Sequence, residues 1–399
     1  MLKIDKLDHY GRGITRLDNK TVFVENALPN EIVEIKVNKE KKKFIEASVL
    51  KYIEESNKRI EPKCPYYNYC GGCNIMHLSY EDQLEFKQHK IKNIIAKYLN
   101  TNTKINDIVK SDTNEYYRNK VTFQVKKDIG FYNNETYDII NIDKCIISNE
   151  LINNSIEYLK KLDLKYISKI TCRTGSNELM IIIETQNRNI DITPLKDIAH
   201  SIHLKIDNEY IHVFGKENIY ETLGDHKFKI SPDSFFQVNI NICLKLYNKV
   251  KEYVGSNKNV IDLYCGTGSI GIFVSKNNNV IGIEINEYAI KDALDNKKLN
   301  NIKNIDFICG DSGKKLKDLN FKPDVIIVDP PRSGLNKETM KNILEFNSKE
   351  IIYVSCDPMT LVRDLNILKE FYNIKEITPF DMFPNTYHVE NIAYLTKNV

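Results

Sequence analysis

The last third of the sequence alternates six β-rich runs with segments of helical pattern. The runs read NVIDLY, VIGIEI, IDFICG, DVIIVDPP, EIIYVSC and NIAYLT, and patterns such as EYAIKDALDNKKLNN fill most of the gaps between them. This alternation predicts an α/β fold, a parallel sheet with helices on both faces. Ligands of such sheets bind outside the carboxyl ends of the strands, so the residues that end these runs are the functional candidates.

The turn after the first run is rich in glycine. DLYCGTGSIG, residues 262–271, satisfies the dinucleotide fingerprint G-x-G-x-x-G. It equally satisfies D-x-x-x-G-x-G, an S-adenosylmethionine (SAM) loop that contains Gly266 and in which Asp262 would meet the cationic end of the cofactor. Glu284 ends the next strand and would bind ribose hydroxyls, and Asp311 after the third strand would take the adenine amino group. These three carboxylates favour SAM over a nicotinamide cofactor.

Two more strand ends carry candidate residues. VDPPRSG begins at Asp329, and its prolines hold the loop rigid. Enzymes that methylate exocyclic amines use a similar loop with an aromatic fourth residue, where this sequence has Arg332, which argues against an amine acceptor. The fifth run ends on Cys356, which is either a packing residue or a nucleophile that faces the crevice.

Carbon 5 of a pyrimidine is an acceptor that requires a cysteine. It has no lone pair, so a thiolate must first add to carbon 6 and place electron density on carbon 5. A base then removes the carbon 5 proton and the thiol is eliminated. Cys356 would be the thiol. Glu390 would be the base, because a dry pocket raises the pKa of a carboxylate, and His388 is the alternative.

A second group of cysteines lies in CPYYNYCGGC. Cys64, Cys70 and Cys73 have the spacing C-x-x-x-x-x-C-x-x-C, which differs from that of radical SAM enzymes. Three close thiols favour a metal or an iron–sulfur cluster, and both zinc and a four-iron cluster need a fourth ligand. Cys145 and Cys172 both qualify. Nine cysteines without an export signal argue against a disulfide framework.

The first third of the chain divides into a strand-rich part and a helix. Residues 1 to about 55 read as short strands with turns between them, which suits a small β-barrel. The run Lys36–Phe44 holds five lysines, either in a phosphate-facing loop or at a solvated hairpin tip. Ser79 with Asp82 forms a capping box, and apolar residues at helical spacing predict a helix over 79–100.

The composition and the first residues of the chain argue against a membrane-spanning protein and against an exported one. The chain has 399 residues, 28% of them charged, and no stretch approaches the roughly 20 apolar residues of a membrane helix. Its charged start does not resemble a signal peptide. We therefore expect a cytoplasmic protein with no membrane association. The length predicts two or three domains.

Five motifs in order along the chain resemble the RNA (uracil-5-)-methyltransferase family. They read SPDSFFQVN (231–239), DLYCGTG (262–268), DPPR (329–332), SCDPMT (355–360) and HVEN (388–391). The resemblance spans nearly the whole chain. It implies an N-terminal OB-like TRAM barrel at 1–56, a mixed α+β central domain with the cysteines at 57–234, and a Rossmann-like class I SAM methyltransferase domain at 235–399. The helix over 79–100 would pack with the catalytic domain.

The same resemblance implies roles for the site residues. Cys356 becomes the nucleophile and Glu390 the base. Contacts to SAM or support of the site are implied for Gln237, Tyr264, Gly266, Glu284, Asp311 and Asp329. Asp329 has both a cofactor and a catalytic role in readings of such loops.

Family members that act on rRNA carry a [4Fe-4S] cluster on three such cysteines and a distant fourth, which matches Cys145. The resemblance thus implies a cluster on Cys64, Cys70, Cys73 and Cys145, with structural zinc as the alternative. Barrel and cluster together favour 23S rRNA as the RNA partner, and no obligate protein partner is expected. Candidate RNA contacts in the barrel are Arg12, Arg16, Phe23 and Lys41–Lys43.

Three other functions stay open. The same chemistry could act on a tRNA uridine. A nicotinamide-linked iron–sulfur oxidoreductase would explain the glycine loop and the cysteines, but it leaves Cys356 and Glu390 without a role. A catalytically silent RNA-binding protein would not need the combination of acid, thiol and cofactor residues.

Overall fold

The computed structural model describes residues 1–134, 136, 138–317 and 319–398. Within these residues the strands form sheets of six, seven and eight strands and one separate hairpin. No helix in the described ranges is both long and apolar enough to cross a lipid bilayer.

The N-terminal sheet contains six strands. They are β1 (Leu2–Lys3), β2 (Lys6–Leu7), β3 (Gly13–Leu17), β4 (Lys20–Glu25), β5 (Ile32–Glu40) and β6 (Phe44–Glu54), in the order β1-β5-β6-β4-β3-β2. Ile4 and Asp5 connect the two edge strands, since Ile4 N donates to Glu31 O and Asp5 N donates to Ile14 O. The start of the chain thereby closes the sheet around a small apolar core, and the predicted barrel is confirmed.

The lysine-rich run is only partly a loop. Strand β5 continues to Glu40, and Lys39 pairs with Glu46 of β6 in the sheet register. The side chains of this pair lie 3.8 Å apart. Only Lys41–Lys43 form an exposed turn between β5 and β6, so the run is a solvated hairpin tip, the second of the two predicted alternatives, and not a loop of five lysines.

Helix α1 (Tyr80–Tyr98) follows the cysteine segment. Ser79 caps it as predicted, because its hydroxyl accepts a hydrogen bond from Asp82 N at 3.2 Å. Ile91, Ile94 and Ile95 join an apolar core that they share with residues of the C-terminal eight-stranded sheet. Tyr98, in contrast, is 40% exposed. In the first turns of α1 the buried residues are instead polar: Gln83, Lys87, Gln88 and Lys90.

The middle of the chain forms a seven-stranded sheet. Its strands are β8 (Lys120–Val125), β9 (Ile129–Tyr132), β10 (Ile139–Asn141), β11 (Ile167–Gly175), β12 (Glu178–Thr185), β13 (Ser201–Ile206) and β14 (Glu209–Gly215), and β7 (Lys104–Ile105) precedes them in another sheet. The order is β10-β9-β8-β11-β12-β13-β14. Helix α2 (Glu150–Leu159) packs Ile152, Ile156 and Leu159 into its core. A hairpin of β15 (Ile219–Leu223) and β16 (His226–Ile230) follows.

The C-terminal sheet has the alternating elements that the sequence predicts. The elements are α3 (Ile240–Val254), β17 (Asn259–Leu263), α4 (Ser269–Val274), β18 (Asn279–Glu284), α5 (Glu287–Leu299), β19 (Ile305–Cys309), α6 (Ser312–Lys317), β20 (Val325–Val328), α7 (Lys337–Phe346), β21 (Glu350–Ser355), α8 (Pro358–Leu368), β22 (Tyr372–Phe380) and β23 (Glu390–Lys397). Strand order is β19-β18-β17-β20-β21-β23-β22-β7. Apolar residues cover both faces of this sheet.

Two features of this sheet differ from the sequence prediction. Strand β23 runs antiparallel to both β21 and β22, so the sheet is mixed rather than parallel. Strand β22 is an addition to the six predicted runs. The reversal matters for function, because it brings the start of β23 to the edge where β17, β18, β20 and β21 end.

Candidate active site and cysteine-lined cavity

The glycine loop starts directly after β17. Tyr264, Gly266 and Gly268 have φ angles of 62°, 53° and 76°, in the left-handed region. A Cβ on Gly268 would lie 2.4 Å from the Phe307 ring, whereas a Cβ on Gly266 would meet no atom within 4 Å. Gly268 is therefore required for packing, and open space lies above Gly266.

Two carboxylates flank this open space. Glu284 Oε2 accepts from Gly266 N at 3.1 Å, and its Oε1 accepts from Asn286 N at 2.9 Å. Asp311 Oδ1 accepts from Lys314 N at 3.0 Å. Burial raises the pKa of Tyr264, and the charges of Asp311 and Glu284 raise it further. Tyr264, Glu284 and Asp311 thus share one crevice beside Gly266.

Asp262 does not face that crevice. It is fully buried, and its Oδ2 accepts from Gly271 N at 2.9 Å. Its Oδ1 has no hydrogen-bond partner among the described residues. Burial, with the charges of Asp329 and Glu284, raises its pKa to about 8. Asp262 therefore supports the glycine loop from below, and the prediction that it meets a cofactor directly does not fit its burial.

Asp329 and Gln237 occupy different surroundings. Asp329 is half-buried just after β20, its N donates to Leu263 O at 3.3 Å, and burial raises its pKa to about 7. Gln237 is buried before α3, and its carbonyl accepts from Asn119 Nδ2 at 3.0 Å. Within the described residues, no hydrogen bond joins the side chain of Gln237 to the Gly266 crevice.

Cys356 and Glu390 come together where β21 and β23 meet. The last pair of this ladder is Ser355 with Asn391, and Cys356 and Glu390 lie one residue beyond it on their strands. Side chains at such facing positions have Cβ atoms about 5 Å apart. Glu390 is buried and also pairs with Phe380 of β22, while Cys356 is half-buried.

Electrostatics link this pair with the Asp329 loop. Burial, then the charges of Glu390 and Asp329, raise the pKa of Cys356 to about 11, against the opposing charge of Arg332. Burial and Asp329 also raise the pKa of Glu390 well above its usual value. The charges of Glu390, Asp329 and Arg332 therefore all act on the Cys356 thiol, so these four side chains form one electrostatically coupled site.

His388 lies at the entrance to this group. Burial, then the positive charges of Arg332 and Lys90, lower its pKa to about 4, so the ring is neutral near pH 7. Its ring centroid is 4.3 Å from that of Tyr387. A neutral imidazole could accept a proton, so His388 stays the alternative to Glu390.

Polar residues of α1 hold the segment that leads to Glu390. Lys87 and Asp381 form a fully buried ion pair, and Lys87 Nζ also donates to Phe383 O at 3.0 Å. Lys90 Nζ donates to Tyr387 O at 2.8 Å. Sequence reasoning missed these residues because a lysine is normally assigned to solvent. The available signal was spacing, since Lys87 lies four residues before Ile91 on the buried face.

The four predicted metal-binding cysteines line one cavity of about 370 Å³: Cys64, Cys70, Cys73 and Cys145. Burial raises the pKa of Cys73 well above its usual value, and the other three thiols raise it further. Cys172 is fully buried elsewhere, 3.8 Å from Ser155 Oγ. No three His, Cys, Asp or Glu side chains in the described part of the chain are arranged to hold a single metal ion.

The remaining cysteines lie outside both sites. The sequence neighbours of Cys243, Cys265 and Cys309 indicate packing roles, and Cys243 and Cys265 are buried accordingly. Cys309 is instead exposed at the end of β19, with its Sγ 3.7 Å from Ile285 O, so a packing role for Cys309 is wrong.

The barrel reaches the entrance of the Cys356 site. Arg12 lies between aromatic rings, 4.6 Å from the centroid of Phe23 and 5.4 Å from that of Tyr10. Tyr10 makes an edge-to-face contact with Tyr387 at 5.2 Å between centroids. Arg16 and Lys41–Lys43 are exposed on the barrel. Arg12 is not a free cation, because its Nε lies 2.8 Å from Asp8.

Comparison with known proteins identifies relatives over the whole chain. An RNA methyltransferase of Clostridium acetobutylicum, itself described as uncharacterized, is 37% identical over 441 residues, 99% of this chain and 96% of its own length. A similarly described RNA methyltransferase of Staphylococcus aureus is 35% identical over 432 residues, covering 97% and 95%.

Structural similarity covers the same extent. The crystal structure of the Pyrococcus abyssi tRNA (uracil-54, C5)-methyltransferase in complex with S-adenosyl-L-homocysteine matches with a TM-score of 0.83 and 30% identity, over 99% of this chain and 100% of that one. The fold is therefore that of class I methyltransferases. The TRAM domain profile matches residues 2–50, and the profile described as tRNA (Uracil-5-)-methyltransferase matches residues 79–398. The chain belongs to the tRNA (uracil-5-)-methyltransferase family.

Proposed function

We propose that this protein methylates carbon 5 of a specific uridine in 23S rRNA, with SAM as methyl donor and a transient bond between Cys356 and carbon 6. The observation that carries the proposal is the position of Cys356 and Glu390 at facing ends of β21 and β23. A nucleophile and a late-acting base are the two groups that the reaction requires. A nicotinamide oxidoreductase would use neither.

The crevice fits SAM. Bound there, SAM would supply the methyl group. The open space above Gly266 would admit its backbone, while Glu284 and Asp311 offer acceptors for hydroxyl and amino groups. Tyr264 would cover one side of the bound cofactor, and Gln237 is proposed to cover the other side. Asp329 would support either the cofactor or the Cys356 thiol. The solved relative with S-adenosyl-L-homocysteine supports this assignment.

The side chains would act in sequence. Cys356 gives its proton to solvent, aided by the positive charge of Arg332, which opposes the rise in the pKa of the thiol. The thiolate adds to carbon 6, and the electron pair moves to the uracil enolate, whose carbon 5 takes the methyl group. Glu390 then removes the carbon 5 proton, and the returning electron pair breaks the sulfur–carbon bond. A raised pKa suits Glu390 to this step, because a more basic carboxylate is a better proton acceptor.

We propose that Cys64, Cys70, Cys73 and Cys145 hold a [4Fe-4S] cluster. Four thiols on one cavity support this assignment. A tetrahedral zinc site requires sulfur atoms about 2.3 Å from one ion. The described side chains include no set already arranged around a single ion, and structural zinc on the same thiols stays the alternative. The cluster would stabilise the segment between the barrel and α1.

The proposed RNA path runs along the barrel. The contact between Tyr10 and Tyr387 joins the barrel to the segment that leads to Glu390, and Tyr10 is 55% exposed. Single-stranded RNA stacks on exposed aromatic side chains, which supports this path. The barrel and the cysteine cavity favour rRNA. The tRNA alternative has its own support, since the solved relative acts on a tRNA uracil. We also propose a cytoplasmic location, which is consistent with an rRNA or tRNA substrate.

We also propose a division into a barrel (1–56), a cysteine-bearing central unit (57–234) and a catalytic unit (235–399). Helix α1 then belongs to the central unit by sequence and to the catalytic core by packing, since Ile91 and Ile94 share a core with β21.

Tritium release tests the proposed reaction. Transcripts of 23S rRNA and of tRNA labelled with tritium at carbon 5 of uridine are incubated with the protein and SAM. We expect release from the rRNA, none without SAM, and a loss of roughly 10³-fold or more in Cys356→Ala. Release from the tRNA alone would show that the substrate is a tRNA uridine and not one in 23S rRNA. No SAM-dependent release from either RNA would contradict the reaction.

A further inference from the structure

The segment between β22 and β23 determines where Glu390 lies. It runs from Asp381 to Val389 and returns the chain to the sheet. Asn385 lies near its middle, is 3% exposed, and has a φ of 66°. Asn tolerates the left-handed region better than most residues, so the turn here is specific to the residue type.

Asn385 joins three distant segments to this turn. Its carbonyl accepts from Asn74 N at 3.0 Å and from Ile75 N at 3.2 Å, the two residues that follow Cys73. Its N donates to Gln83 Oε1 of α1 at 2.9 Å, and its Oδ1 accepts from Gln83 Nε2 at 3.1 Å. Its Nδ2 donates to Asn114 O at 2.7 Å. Every polar group of Asn385 is used.

We propose that Asn385 is a positioning residue that holds Glu390 in line with Cys356. A buried network with every member satisfied is rigid, and a partly satisfied one is not. Among the described residues, no hydrogen bond joins Asn385 to Cys356 or Glu390, so its effect passes through the four residues that connect it to Glu390. This role rests on the proposed function.

The role separates the two halves of the reaction. Addition to carbon 6 needs Cys356, which directly follows β21 (Glu350–Ser355) and is not part of the turn. Proton removal needs Glu390, the first residue of β23, which directly follows the turn. Loosening the turn therefore slows the second half alone, and the protein accumulates as a covalent adduct with methylated RNA. A general loss of stability would instead reduce both halves.

The test uses Asn385→Gly, which keeps the left-handed backbone and removes the side-chain bonds. Adduct is read on a denaturing gel and turnover by tritium release. Asn347→Gly is the matched control, because Asn347 has a φ of 57° and is exposed at the end of α7. We expect release to fall roughly 10- to 100-fold in Asn385→Gly, with increased adduct and an unchanged KM for SAM, and no change in Asn347→Gly.

Two results would overturn the positioning role: wild-type release and adduct in Asn385→Gly, or a parallel loss of both. If that variant does not fold, Asn385→Asp decides by the same readouts, because it keeps the size and the φ and replaces the donor to Asn114 O by a carboxylate oxygen, which leaves the bonds to Gln83 in place. If the wild-type protein releases no tritium, the proposed function itself is rejected. If the wild-type protein releases tritium normally, a contrary result with the Asn385 variants rejects only the positioning role.

Discussion

Cys356 and Glu390 face each other one residue beyond the Ser355–Asn391 pair, on strands that run in opposite directions. A parallel last strand would start at the opposite edge of the sheet and place Glu390 far from the thiol. The antiparallel insertion of β23 between β21 and β22 therefore creates the site.

Replacement of the base should trap the intermediate. A glutamine at position 390 cannot accept the carbon 5 proton, so Glu390→Gln should form the adduct and release it roughly 10²-fold or more slowly. Protein and RNA should then migrate together on a denaturing gel. His388→Gln is the control for the alternative base. Trapping by His388→Gln and not by Glu390→Gln would transfer the role to His388.

The cysteine cavity predicts which thiol binds iron. Cys145→Ser should lose most of the iron and acid-labile sulfide, because Cys145 lines the cavity with the other three thiols. Cys172→Ser should retain both, since Cys172 is fully buried and does not line the cavity. Metal analysis of protein purified without oxygen measures this. Zinc in place of iron and sulfide would support the alternative site, and equal loss in both variants would contradict the assignment.

Asp262 should make stability depend on pH. Its pKa is raised to about 8 in the folded chain from an ordinary value of 3.8. The folded state thus binds the proton more tightly, and the resulting stabilisation is complete below the ordinary pKa and is lost as pH rises through about 8. Without added SAM, Asp262→Asn should therefore show a smaller fall in melting temperature than wild type between about pH 5 and 9.

The control for this pH effect is Asp107→Asn, at an exposed position. Its melting temperature should follow the wild-type curve. Identical pH profiles for Asp262→Asn and wild type would show that Asp262 does not bind its proton more tightly in the folded state.

The buried ion pair should show strong coupling. Lys87→Met leaves Asp381 buried without its cation, and Asp381 Oδ2 has no hydrogen-bond partner among the described residues. We expect Lys87→Met to lower the free energy of unfolding by about 3–5 kcal/mol. Lys87→Met with Asp381→Asn should cost less than the sum of the single changes. Urea unfolding of the four proteins measures the cycle, and additive costs would exclude coupling.

Local patterns predicted much of this fold. The capping box places the start of α1 at Ser79, and each β-rich run of the last third is a strand, because burial on both faces requires continuous apolar residues. Strand β22 escaped prediction. It contains Pro379, which normally argues against a strand interior, and its register shifts between Ile374 and Glu376.

The site was predictable only in part, because a sequence identifies residues with a chemical role more readily than residues that hold them in position. Cys356 and Glu390 follow from the reaction they would catalyse. Asn385 and Lys87 have no such signal: each is a polar residue whose burial depends on partners far away in the sequence. The direction of β23 also depends on tertiary pairing, which local periodicity does not encode.

The bond between Cys356 and carbon 6 is tested most directly with RNA that contains 5-fluorouridine. Fluorine at carbon 5 cannot be removed as a proton, so the adduct cannot break down after methyl transfer. Protein, SAM and this RNA are incubated and digested, and the nucleotide-bearing peptide is sequenced by mass spectrometry. We predict a methylated fluorouridine nucleotide attached to Cys356. A nucleotide on another residue, or no SAM-dependent adduct, would contradict the covalent mechanism.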